Sequence, residues 1–161
     1  MNDFHDPESP LHRVRIGPAG WSYKDWEGVV YPAAPGRRFD QLAYLARYFD
    51  AIEVNSSFYR IPPPAHAVSW ARRTASNPDF RFTAKLYRGF THEKAVEPGD
   101  AEAFRRFLDP LAEAGRLGAL LVQFPWSFRN DAENRRHSDF KCKTGFHCVE
   151  IFVISLQFVF L

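Results

Sequence analysis

Residues 51–60 read AIEVNSSFYR. Apolar Ile52 and Val54 alternate with Glu53 and Asn55, and the run then breaks into Ser, Ser, an aromatic pair and Arg. Successive side chains of a strand point to opposite faces. The stretch therefore predicts a strand that packs Ile52 and Val54 against helices and turns Glu53 and Asn55 into a site or a barrel interior. A strand buried on both faces would read as a continuous apolar run instead.

Working outward, strand-like runs recur at VRIG (14–17), FRFTAK (80–85) and LGALLVQF (117–124). Between them the apolar period changes to that of a helix. Phe39, Leu42, Leu45, Ala46 and Phe49 predict one helix, and Phe104, Phe107, Leu108 and Leu111 another. A helix starting in PPPAHAVSW is expected to use Pro64 in its first turn and to face Val68 and Ala71 inward. Asp100 is expected as an N-cap with Glu102 in the first turn, and Pro110 to end or kink that helix. Strands spaced by roughly 30 to 40 residues with a helix between them are the mark of βαβ units in a parallel sheet. The fold class is α/β.

The composition, 45 % hydrophobic and 25 % charged over 161 residues, fits one domain with a real core. A net charge of +2, with arginines scattered along the chain, gives no support for nucleic acid or a membrane surface. Residues 1–13, MNDFHDPESPLHR, lack the basic start and apolar core of a signal peptide and read as a flexible segment of a cytoplasmic protein. The terminal run CVEIFVISLQFVFL is interrupted by Glu150 and Gln157 and falls short of the roughly 20 residues of a membrane span. Cys142 and Cys148 define no disulfide framework. GPAGW after the first strand lacks the G-x-G-x-x-G spacing, so no nucleotide cofactor is expected. No metal is expected either: residues 1–136 hold no standard ligand motif, and His137, Cys142, His147 and Cys148 match no standard zinc spacing.

Each predicted strand ends in residues that packing would not select. Trp21, Tyr23 and Trp26 follow the first; Glu53, Asn55, Phe58 and Tyr59 the second; Lys85, Arg88 and His92 the third; Gln123 and Trp126 the fourth. Ligands of parallel α/β folds bind beyond the carboxyl ends of the strands, so these groups are expected to share one rim. Glu53 reads as a general acid or base, or as a buried carboxylate paired with Lys85 or an arginine. Lys85 can hold an anion, form a Schiff base or neutralise Glu53. His92 reads as a proton carrier or a solvated loop residue. Asn55 and Gln123 can orient a substrate, and Trp21, Tyr23, Tyr59 and Trp126 can wall it or close the core.

Taken in order, IGPAGWSYKDWEGVVYP (16–32), AIEVNSSFYRIP (51–62), FRFTAKLYRGFTHEK (80–94) and LGALLVQFPWSFRNDAENRR (117–136) resemble the YecE-like family, the domain of unknown function numbered 72. The resemblance covers residues 14–136 and implies a partial TIM-type (β/α) barrel of about four βα units with parallel strands. It implies no catalytic assignment; the strand-end residues fall in its motifs and carry over as candidate site residues. If the relatives are enzymes, the rim favours hydrolase or lyase chemistry on a small polar sugar or phosphate compound. Glu53, Lys85 and His92 would then be catalytic, with Trp21, Tyr23, Asn55, Tyr59, Arg88, Gln123 and Trp126 binding substrate. The alternative is a non-catalytic module holding single-stranded nucleic acid by stacking and phosphate contacts.

After Arg136 the chain reads HSDFKCKTGFHCVEIFVISLQFVFL, where the family would supply a fourth helix and an acidic fifth strand. Residues 137–161 contain no Ala, Arg or Pro and hold five Phe. This tail reads as frameshifted or joined after truncation, with VEIFVISL as a candidate fifth strand. A half barrel by itself is expected to be inactive and to associate with itself or aggregate through its open edges.

Overall fold

A computed structural model of the chain describes residues 15–93, 96–129 and 150–153, the last four as backbone alone. The expected flexible segment 1–13 and most of the tail after Arg136, with Cys142 and Cys148, lie outside the described residues. Four parallel strands form one open sheet in the order β1 (Ala51–Val54), β2 (Arg81–Lys85), β3 (Leu117–Val122) and β4 (Glu150–Val153). β4 falls within the predicted VEIFVISL strand. Helices α1 (Gln41–Leu45), α2 (Pro64–Arg73), α3 (Arg88–Thr91) and α4 (Asp100–Glu113) fill the connections between β1, β2 and β3 and precede β1. Among the described residues no helix is long and apolar enough to cross a membrane.

The alternation read from the sequence is the alternation of burial. Ile52 and Val54 of β1, Phe82 and Ala84 of β2, and Leu120 and Val122 of β3 join one apolar cluster with Ala67 and Trp70 of α2 and with Phe104, Phe107, Leu108 and Leu111 of α4. Trp70 sits at its centre, stacked 6.3 Å from Phe82 and edge-on at 5.9 Å to Phe107. The register pairs Glu53 with Thr83 and Thr83 with Ala119, and Lys85 with Leu121, across the opposite face. Gly118 is the extra residue where the β2–β3 register shifts.

Four local expectations are corrected. VRIG is no regular strand: residues 16–20 run beside β1 as an irregular edge. Asp50 donates its N–H to Ile16 and Glu53 to Pro18, and Gly20 donates back to Glu53. Pro18 has no N–H to give a ladder, and Gly17 is pressed so close to the Ala51 carbonyl that a Cβ there would collide with it. Val68 is 55 % exposed, and Ala67 and Trp70 are the buried residues of α2. Gly99 holds the cap position of α4, and the Asp100 carboxylate accepts from the Glu97 N–H at 3.0 Å. Pro110 does not end α4, which runs on to Glu113; the helical donor it removes belongs to the Arg106 carbonyl on the solvent side.

The short α1 is fastened by one carboxylate. Asp40 caps it, accepting from the Ala43 N–H at 3.0 Å, and takes both Nε and Nη2 of Arg73 at 2.8 and 2.6 Å. These bonds hold its carboxyl below the ordinary 3.8, the Arg73 hydrogen bonds first among the causes. Asp40→Ala is therefore expected to cost about 1–2 kcal/mol in urea unfolding, a cap of about 1 kcal/mol plus a partly exposed ion pair. A carboxyl with a depressed folded pKa stabilises above its unfolded value, so the wild-type advantage should shrink as pH falls below 3.8.

Candidate functional site

The rim forms where β1 and β2 part. Their ladder ends at the Val54–Ala84 pair, and the chain leaves β1 through a 3₁₀ turn, Asn55–Phe58. Ser57 in that turn is fully buried, and its hydroxyl is placed to donate to the Val54 carbonyl at 2.7 Å and the Lys85 carbonyl at 2.6 Å. One hydroxyl proton thus serves both strand ends, and its loss would leave buried carbonyls short of a donor, at about 1–3 kcal/mol.

The turn delivers Phe58 between two of the predicted catalytic residues, Lys85 and His92. Lys85 Nζ lies 4.5 Å from the Phe58 ring centre, and the His92 ring stands edge-on to it at 4.9 Å. His92 follows α3, and its Nδ1 is 2.8 Å from the hydroxyl of buried Thr91. Glu53 is half-buried on the same sheet face as Lys85. Of the alternatives for Glu53, pairing with Lys85 or an arginine does not form: no ion pair within 4.0 Å and no side-chain hydrogen bond engages Glu53 among the described residues. Burial pushes its carboxyl above the ordinary 4.5, and the Lys85 cation pulls it only part of the way back. His92 moves the other way, below 6.5, through burial first and then repulsion by Lys85. The two groups are thus displaced towards one another from their ordinary values.

Beside this trio lies a depression of about 410 Å³ lined by Gly20, Trp21, Ser22, Tyr23, Asn55, Ser56 and Tyr59. Gly20 adopts a φ of +82°, and the Tyr23 hydroxyl passes 2.6 Å from where a Cβ would stand. That hydroxyl donates to the Ala19 carbonyl at 2.5 Å. Trp21 serves both wall and core, with its ring edge-on to Trp70 at 5.3 Å. Four of the predicted substrate-binding residues, Trp21, Tyr23, Asn55 and Tyr59, thus share one concavity.

The other three stand apart from it. Arg88 is paired with Glu93 at 2.7 Å. Gln123 follows β3 half-buried, and Trp126 is 87 % exposed; neither lines the depression. Sequence reasoning named Phe58 without giving it a task and passed over Ser22, Ser56, Ser57 and Thr91. Small hydroxyl residues at a turn carry no pattern that separates a strand clamp from a solvated loop. Among the described residues no group of three His, Cys, Asp or Glu is placed to hold a metal ion.

The sequence pattern of the family described as "Protein of unknown function DUF72" matches residues 15–151. UPF0759 protein YunF of Bacillus subtilis is 31 % identical over 127 residues, covering 75 % of this chain and 43 % of YunF. UPF0759 protein YecE of Escherichia coli K12 is 28 % identical over 117 residues, covering 71 % and 39 %. Crystal structures of DUF72 family proteins from Thermotoga maritima and Enterococcus faecalis superpose with TM-scores of 0.64 and 0.65 at 30 % and 26 % identity. Those alignments cover 86 % and 85 % of this chain and 54 % and 48 % of theirs. The matched part of the chain spans less than half the length of YunF and YecE.

The Glu53 environment fixes a sign for stability against pH. Its raised folded pKa means the folded state binds more protons than the unfolded state just above pH 4.5, so its contribution to stability falls as pH rises through that window. His92 contributes the opposite slope below 6.5, but it is common to wild type and variant. Glu53→Gln should accordingly melt higher than wild type at pH 8, and the two should converge as pH falls to 4.5. A variant that melts lower at pH 8 would show that the carboxylate is stabilised where it stands.

Proposed function

The chain belongs to the DUF72 family, and from that premise we propose that its rim is the acid–base half of a hydrolase or lyase site for a small polar substrate, a sugar or phosphate compound. The observation that carries the reading is the meeting of Lys85 and His92 on Phe58, with half-buried Glu53 on the same sheet face within the electrostatic reach of Lys85. Glu53, protonated to higher pH than an ordinary glutamate, is the general acid. His92, neutral at pH 7, is the base. The Lys85 ammonium stabilises negative charge as it develops. Asn55 and Ser56 orient the substrate, and Trp21, Tyr23 and Tyr59 flank it.

The open sheet fits a reading in which it is the first part of a (β/α) barrel that the longer relatives complete. Its second face, carrying Glu53, Thr83, Lys85 and Leu121, is left without a helical layer among the described residues. On that reading turnover belongs to the whole barrel. A single-stranded nucleic-acid module draws less support, because the Arg88 charge it would use is paired with Glu93.

Two measurements test the proposal. Phosphate-ester, glycoside and carboxylic-ester substrates are offered to full-length YunF and to its variant with Gln at the position aligned with Glu53. A general acid should take kcat/KM down by about 100-fold or more, whereas equal turnover removes the glutamate from the mechanism. For the 161-residue chain itself, light scattering is expected to find a discrete dimer that covers the open face; a stable monomer would refute self-association.

A further inference from the structure

At the far end of the sheet from the rim, four consecutive carbonyls of the α2–β2 loop each accept from an arginine. Arg116 Nη1 donates to the Asn77 carbonyl and, at 3.4 Å, to Phe80. Arg81 Nη1 donates to Pro78 at 3.0 Å and to Phe80 at 3.3 Å. Arg15 Nη1 donates to Asp79 at 2.7 Å. Arg81 opens β2, Arg116 precedes β3 and Arg15 precedes the edge segment, so the parallel topology brings all three to the N-terminal end of the strands.

In every case the loop engages Nη1 alone. Nε and Nη2, the edge with which a guanidinium grips an oxyanion through two parallel bonds, have no hydrogen-bond or ion-pair partner among the described residues. Capping a carbonyl requires a donor but no charge. Asn77 already works in that way, donating its side-chain N–H to the Ala46 and Phe49 carbonyls at 2.9 and 3.4 Å. Three cations on one loop repel one another instead: besides burial, both Arg15 and Arg116 weaken the proton affinity of Arg81, with Asp79 the carboxylate that opposes them. Asp79 forms no ion pair within 4.0 Å with any of the three.

We propose that this end of the sheet binds a phosphate-type oxyanion through the free Nε and Nη2 edges of Arg15, Arg81 and Arg116. The anion relieves the mutual repulsion and replaces water on donors that the loop has already oriented. The site is separate from the Glu53, Lys85 and His92 rim and stands or falls independently of it.

The test is a titration of the 161-residue chain with inorganic phosphate replacing chloride at constant ionic strength, read on the arginine Nε–Hε resonances. Saturable shifts are expected at Arg15, Arg81 and Arg116. Arg15→Gln, exposed and bonded to a single carbonyl, should weaken binding about tenfold, and Arg81→Gln by at least as much. Lys85→Gln should leave the affinity unchanged. Shifts that do not saturate, an affinity indifferent to Arg15→Gln and Arg81→Gln, or binding abolished by Lys85→Gln would each overturn the proposal.

Discussion

Burial of Ile52, Val54, Phe82, Ala84 and Leu120 against α2 and α4 takes every second side chain of the sheet out of water. Because a strand repeats every two residues, the side chains between them are committed to the other face, and a slip of one residue would exchange the two sets. Removing Phe82 alone would cost about 3–5 kcal/mol, so the register is strongly held. The positions of Glu53 and Lys85 follow from this packing. They are half-buried because the strand that carries them cannot turn, and the pKa displacement of Glu53 is the electrostatic expression of that constraint.

This division of faces was open to reading from AIEVNSSFYR, and so were β2 and β3, where apolar alternation and flanking helices agree with one another. The failures were local. VRIG has a strand's composition, but Pro18 withholds a donor and Gly17 lies against the Ala51 backbone, facts that depend on the neighbouring chain. Spacing alone places Val68 inward, whereas α2 buries its neighbour Ala67 and Trp70 two residues on. Pro110 breaks a helix only when its lost hydrogen bond cannot be made good, and composition cannot report which side of α4 meets water.

The site was partly legible for the same reason. Glu53, Lys85 and His92 lie at strand or helix ends whose order the pattern gave, and a parallel sheet collects such ends on one rim. What no pattern shows is the piece that joins them. Phe58 reads as one aromatic among many, and its place between Lys85 and His92 comes from the turn that Ser57 ties down. Nor does the sequence mark Arg15, Arg81 and Arg116 as a group, since they are far apart in the chain and meet only because β2, β3 and the irregular edge segment start at the same end of the sheet.

The Asn77 side chain ties together the two ends of the β1–β2 connection. It bonds carbonyls 31 and 28 residues earlier in the chain, closing a loop of about the length that parallel pairing of β1 and β2 requires. Closing such a loop costs entropy before any ladder bond rewards it. The first β1–β2 pair, Ala51 with Arg81, lies just beyond that tie, and the Ser57 hydroxyl holds the two chains together again past the last pair. One amide at the arginine end and one hydroxyl at the rim thus fasten the ladder at both of its limits.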